Sequence, residues 1–250
     1  MAIDFQFKSP FVQALVKPML MRWFLILVGV FPLLAGCHRK SPGASERPHG
    51  PLPTVAIEAV PAPNNPTFTL ERGSNLGAIA SEAYGHGRFS GFVATLNGIT
   101  DQARIPTGTI LKTPSLAVAF RDAGLDPAYQ PAINALAKAW TDYLAVEPAY
   151  KAARRASAAT TGSFAIPADM KAKFMACADA IEAGAAALSI PRPPHSEPKL
   201  TIAQFRKAAD QVLELAHGSN DPNGYDYDMV GQRFGLAFTN ALIWAQKEKH

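Results

Sequence analysis

Cysteine is nearly absent: Cys37 and Cys177 are the two in 250 residues, too few for a disulfide framework. Charge is sparse as well, at 18% of residues. Lys and Arg outnumber Asp and Glu by four, yet no basic stripe interleaved with aromatics occurs, so a nucleic-acid partner has no support. No His-Glu-x-x-His pattern is present, and His195, His217 and His250 stand beside no nucleophile motif. His217 falls at an expected helix end, where a cation would suit the negative pole. The acidic run Asp221 to Asp228 has its glycine in the fourth place rather than the sixth, and Gln232 where a calcium loop needs glutamate. A turn followed by an Asp228 helix cap is expected there instead. No metal and no cofactor are expected. Long apolar runs are missing too, none reaching the roughly 20 residues of a membrane span.

What the N-terminus does have is Arg22, the apolar run Trp23 to Phe31, and a small-residue end, Leu34-Ala35-Gly36-Cys37. A charged start, an apolar middle and small residues before a cleavage point make an export signal. The last four residues resemble the lipobox of bacterial lipoproteins. The resemblance implies cleavage of residues 1–36 and lipidation of Cys37, with anchoring in a membrane by its acyl chains. His38, rather than Asp, follows the cysteine, which in diderm bacteria favours the periplasmic face of the outer membrane. The stretch before Met21 is longer than such a signal needs, so Met19 or Met21 is an expected start. Losing Lys8, Lys17, Arg22 and Asp4 lowers the formal charge from +4 to +2.

Residues 37–66 carry seven prolines, Pro42, Pro48, Pro51, Pro53, Pro61, Pro63 and Pro66, and read as an extended linker. Its reach is on the order of 90 Å at ~3.1 Å per residue. Alternation then appears at Phe68-Thr69-Leu70, the period of a half-buried strand. Arg72-Gly73-Ser74-Asn75 interrupts it with a turn and a helix cap. Leu76, Ile79, Ala80, Ala83 and Tyr84 follow on one helical face, and Phe89, Phe92, Val93 and Leu96 predict a second helix stopped by Asn97-Gly98. Gly108 to Pro114 is the expected returning strand. Strand, helix, helix, strand makes a small α+β unit over residues 67–114.

These residues carry a resemblance. Phe68-Thr69-Leu70, Gly73-Ser74-Asn75-Leu76, Ile79-Ala80, Tyr84-Gly85, Leu96-Asn97-Gly98-Ile99, Ile105-Pro106-x-Gly108, Leu111 and Pro114 together resemble a LysM domain. The resemblance implies binding of N-acetylglucosamine-containing glycans, chiefly peptidoglycan, in a shallow groove between two loops. Carried over, the groove is Gly73, Ser74, Asn75 and Leu76 in the first loop and Ile105, Pro106, Thr107 and Gly108 in the second. An N-acetyl sugar offers an amide for backbone groups and a methyl group and apolar face for Leu76, Ile105 and Pro106. Leu76 and Ile105 serve equally well as core, and Asn75 as a cap, so Ser74 and Thr107 are the better ligand candidates. Two departures stand out: Gly73-Ser74-Asn75-Leu76 replaces the usual Gly-Asp-Thr-Leu, and Gly77 stands where a larger residue is common.

Residues 115–250 are alanine-rich with no strand pattern, and read as an all-α domain of four or five helices, enough for a bundle. Ile133, Leu136, Ala137, Trp140, Tyr143 and Leu144 mark one face; Pro148 is expected to open a separate helix. Met170, Phe174, Cys177, Ile181 and Leu188 mark another, with Cys177 a buried structural thiol. Thr201-Ile202-Ala203-Gln204 predicts a capped start, and Val230, Phe234, Phe238, Ala241 and Leu242 a last helix on which Gly231, Gly235 and Thr239 allow close packing. Lys151 to Arg155 reads as a solvated basic face. Glu147, Glu182, Glu197 and Glu214 form no pair with a catalytic context, and exposed helix faces are their expected place, so the domain reads as non-catalytic. The whole describes a lipid-anchored envelope protein that binds peptidoglycan and presents a helical domain, with an envelope protein as a partner for that domain. The alternative is a peptidoglycan-targeted cell-wall hydrolase, or an activator of one, acting through the helices.

Overall fold

Phe68 and Leu111 are the inward-facing apolar residues of two three-residue strands, and they pair. Strand β1 is Thr67–Thr69 and β2 is Ile110–Lys112, antiparallel in the register Thr67 to Lys112, Phe68 to Leu111 and Thr69 to Ile110. Leu111 is buried and Phe68 half-buried, while Thr67, Thr69, Ile110 and Lys112 point outward. A computed structural model describes residue 52 and residues 66–160, 164–218 and 225–248. The expected export signal, Cys37, most of the expected linker, Asp221 to Gly224 and His250 lie outside the described residues. Among the described residues no helix is long and apolar enough to cross a membrane.

Between the strands run α1 (Leu76–Tyr84), a short 3-10 turn (Gly87–Phe89), α2 (Ser90–Leu96) and a second 3-10 turn (Gln102–Arg104). Asn75 caps α1, its side chain accepting from the Ala78 N–H at 2.9 Å. Asn97 ends α2 and does more. Its amide donates to the Val93 and Lys112 carbonyls, and its Oδ1 accepts from the Lys112 N–H at 2.7 Å. One side chain thereby pairs the free edge of β2 as a neighbouring strand would.

After β2 come α3 (Leu116–Ala123), a 3-10 turn (Pro127–Tyr129), and four long helices: α4 (Gln130–Thr160), α5 (Ala168–Leu188), α6 (Lys199–Ala216) and α7 (Tyr225–Glu248). The fold is thus mostly helical with a small two-stranded sheet, an α+β chain. Three local expectations need correction. Pro148 opens no new helix, because it lies inside the single 31-residue α4. Its ring removes one backbone bond, to the Leu144 carbonyl, at a cost of about 3 kcal/mol. Tyr143, Val146 and Tyr150 on either side are all buried on one face and hold the helix together across the break. Helix α6 starts at Lys199, two residues before the expected cap, and Thr201 is buried in its first turn. Asp228 is no cap either, since α7 already runs from Tyr225.

Neighbours in sequence pack together from α4 to α7, and α7 also packs on α2 and on the Gly87–Phe89 turn. The described residues fall within one compact unit, Gly43–His250. A single core crosses residue 114: Phe89 sits 5.0 Å from Trp140 and 5.6 Å from Phe238, and Phe92 6.1 Å from Phe120, centroid to centroid. Two glycines permit this. A methyl group on Gly235 would lie 2.5 Å from the Arg88 carbonyl oxygen, and one on Gly231 2.5 Å from the His86 ring. The close packing expected of this stripe is therefore made with the small α+β unit. Cys177 is a buried thiol, raised by burial above its ordinary range, and donates to the Ala139 carbonyl.

Gly235→Ala is expected to destabilise the chain by about 1–3 kcal/mol through overpacking against backbone. Gly91→Ala, whose methyl would meet Thr239 at an ordinary 3.6 Å, is expected to be neutral or slightly stabilising. Urea unfolding of both variants measures the contrast.

Candidate functional site

The two loops named from the sequence meet at one end of the sheet. Leu70, just past β1, is the link: its N–H donates to the Thr109 carbonyl and its carbonyl accepts from the Gly108 N–H, both at 2.8 Å. In the first loop the Ser74 N–H returns to the Glu71 carbonyl at 3.1 Å, with Gly73 at φ +85°, a conformation costly for any side chain. In the second, the Thr109 hydroxyl and N–H both donate to the Pro106 carbonyl, at 2.7 and 3.2 Å.

Six of the eight expected residues, Gly73, Ser74, Asn75, Pro106, Thr107 and Gly108, are exposed. A methyl group built on Gly73 or Gly108 would meet nothing within 4 Å, so the backbone there is open to an approaching group. The Ser74 and Thr107 hydroxyls make no hydrogen bond among the described residues. Leu76 belongs to the core, with 4% of its surface exposed, and Ile105 is half-buried. The rim therefore offers peptide groups, two hydroxyls and the Pro106 ring. Asn75 spends its Oδ1 on the α1 cap, and a methyl on Gly77 would press on that oxygen at 3.0 Å. The bare Gly77 thus accompanies an asparagine cap.

A groove of about 600 Å³ lies at the far end of β2, lined by Leu96, Lys112, Pro114, Ala119 and Ile243 among others, with Asp122 its one carboxylate. The buried acids are elsewhere and are engaged, against the expectation of solvated faces. Glu147 lies 3.0 Å from the Tyr143 hydroxyl and 3.0 Å from Lys151 Nζ, and Lys151 stands 4.5 Å over the Tyr227 ring. Arg154 pairs with the buried Asp226, beside the Tyr150 hydroxyl. Glu182 is likewise buried; Glu214 is exposed on α6 as expected, and Glu197 is exposed but lies in the loop before α6 rather than on a helix face. Of the basic cluster only Arg155 is exposed, because Lys151 and Arg154 hold the start of α7.

Sequence reasoning missed His86 and Arg88. Arg88 pairs with Asp228 at 2.6 Å, and His86 Nδ1 accepts from the Arg88 N–H at 3.2 Å, which leaves its Nε2 facing Asp228. Burial holds the His86 imidazole below its ordinary range, against the opposing pull of Asp228 and Glu147. No sequence signal pairs residues this far apart in the chain.

No family model, curated protein or solved structure matches this chain.

Asn75→Ala removes the α1 cap and is expected to cost about 1 kcal/mol. Thermal unfolding monitored by circular dichroism checks it. An unchanged midpoint would mean the Ala78 N–H finds another partner.

Proposed function

We propose that this is a lipid-anchored protein of the bacterial cell envelope that binds N-acetylglucosamine-containing peptidoglycan through a LysM-type unit, residues 67–114. The supporting observation is the open rim: two loops joined through Leu70, with exposed backbone at Gly73 and Gly108 and unengaged hydroxyls at Ser74 and Thr107. The sequence resemblance of the same positions supports the same reading. Peptide groups at the rim would pair with the N-acetyl amide, and Pro106 would cover its methyl group. Lipidation at Cys37 would hold the rim close to its polymer, and the helices would be carried to the wall, for an envelope protein partner.

The natural test is co-sedimentation of residues 38–250 with purified peptidoglycan, beside a Ser74→Arg/Thr107→Arg variant whose circular dichroism is unchanged. The whole chain is needed because Phe89 and Phe92 are buried against Phe120, Trp140 and Phe238. Enrichment of the parent, reduced about tenfold in the variant, a change of about 1.4 kcal/mol, is the expected result. Equal recovery of both, or of neither, would sink the proposal.

A further inference from the structure

His195 lies in the loop between α5 and α6, and both its ring nitrogens face carboxylates. Nε2 is 2.7 Å from Asp126 Oδ2, and Nδ1 is 3.1 Å from Glu248 Oε2. An ionised carboxylate only accepts, and a neutral imidazole has a single N–H. A neutral ring would satisfy one carboxylate and turn a lone pair on the other. The imidazolium alone donates to both.

The three residues come from distant segments. Asp126 precedes the 3-10 turn that leads into α4, and its side chain accepts from the Ala128 N–H at 2.7 Å. Glu248 ends α7 and also accepts from the Ser196 hydroxyl and, at 3.3 Å, from the Ser196 N–H. The titratable and charged groups around the ring are Asp126, Glu248, Tyr129 (6.0 Å between centroids) and Arg192, which lies 5.5 Å over the Tyr129 ring. Arg192 and an imidazolium balance the two carboxylates. Loss of the ring proton leaves one negative charge uncompensated. The ring, with Asp126, Tyr129 and Glu248, closes over a small hollow lined by Leu125, Trp244 and Ala245.

We propose that His195 is a pH-operated clasp: protonated, it fastens the α5–α6 loop both to the entry of α4 and to the end of α7, and deprotonated it keeps only one of those two bonds. This device does not depend on glycan binding. Its acid limit is set by the carboxylates. Asp126 is held below the ordinary carboxylate range first by the Ala128 N–H and then by His195; Glu248 is held there first by the Ser196 hydroxyl. Groups so lowered stabilise the fold above their unfolded values, and that contribution is lost as pH falls through the lowered ones.

The test uses residues 38–250, wild type against His195→Gln, between about pH 5 and 8, where an imidazole ordinarily changes charge. Nitrogen NMR should find both ring nitrogens of His195 protonated at the acid end. Raising the pH should lower the wild-type unfolding midpoint by about 2–4 °C more than that of the variant, the difference cancelling His86 and the other histidines. Should His195→Gln fail to fold, Asp126→Asn, which leaves the ring one carboxylate, should flatten the same profile. A ring with one N–H at the acid end, or profiles that superimpose, would overturn the clasp.

Discussion

The contact on which this structure depends is between a bare helix face and a bend in the chain. At Gly235 the surface of α7 comes so close to the Arg88 carbonyl that a single methyl group has no room. That approach brings Phe89 and Phe92 of the small α+β unit within 5.6 and 6.3 Å of Phe238, and Phe89 within 5.0 Å of Trp140. Each buried phenylalanine contributes about 1.5–3 kcal/mol relative to an exposed one. Two three-residue strands and two short helices have little core of their own. Their stability is largely borrowed across this contact.

Hydrogen bonds fix the register of what the aromatic rings hold together. The Trp140 indole donates to the Tyr84 carbonyl at 3.0 Å, and the Tyr84 hydroxyl to the Pro114 carbonyl at 2.8 Å. These join α4, α1 and the end of β2 in one chain of donors. Around the start of α7 the work is ionic. Arg88 with Asp228 is a part-exposed pair, worth a fraction of a kcal/mol and best understood as orienting. Arg154 with Asp226 is buried, so breaking it by removing one partner costs far more than the pair itself contributes.

Local features were legible in the sequence and long-range ones were not. Both strands, α1 with its Asn75 cap, the stop at Asn97 and the inward faces of α5 and α7 follow from periodicity and capping chemistry, because each depends on residues within a turn or two. Pro148 misled because its local preference was outweighed by buried side chains on both sides of it. Lys151 and Arg154 looked like a solvated face because their partners Tyr227 and Asp226 lie more than 70 positions away. The part of Asn97 that pairs with β2 was hidden as well, because Lys112 lies 15 positions away, beyond the reach of capping and periodicity rules. Of the candidate rim, exposure followed the turn-forming residues, while Leu76 went to the core, as an apolar residue at the start of an amphipathic helix does.

The division of labour between rim and core bears on the affinity the proposed reading requires. Of the apolar residues carried over to the rim, Leu76 is buried and Ile105 half-buried, so a sugar there would meet mainly backbone groups, two hydroxyls and one proline ring. Such a shallow surface gives few contacts, and a dissociation constant near the millimolar range corresponds to about 4.1 kcal/mol of binding. In free solution that is a transient encounter. A tether that keeps the groove beside its polymer supplies an effective concentration that reaches the millimolar range, which brings occupancy to order one half with no added contact. Under this reading, weak binding and anchorage need each other: the anchor without the rim holds nothing at the wall, and the rim without the anchor would be occupied too seldom to matter.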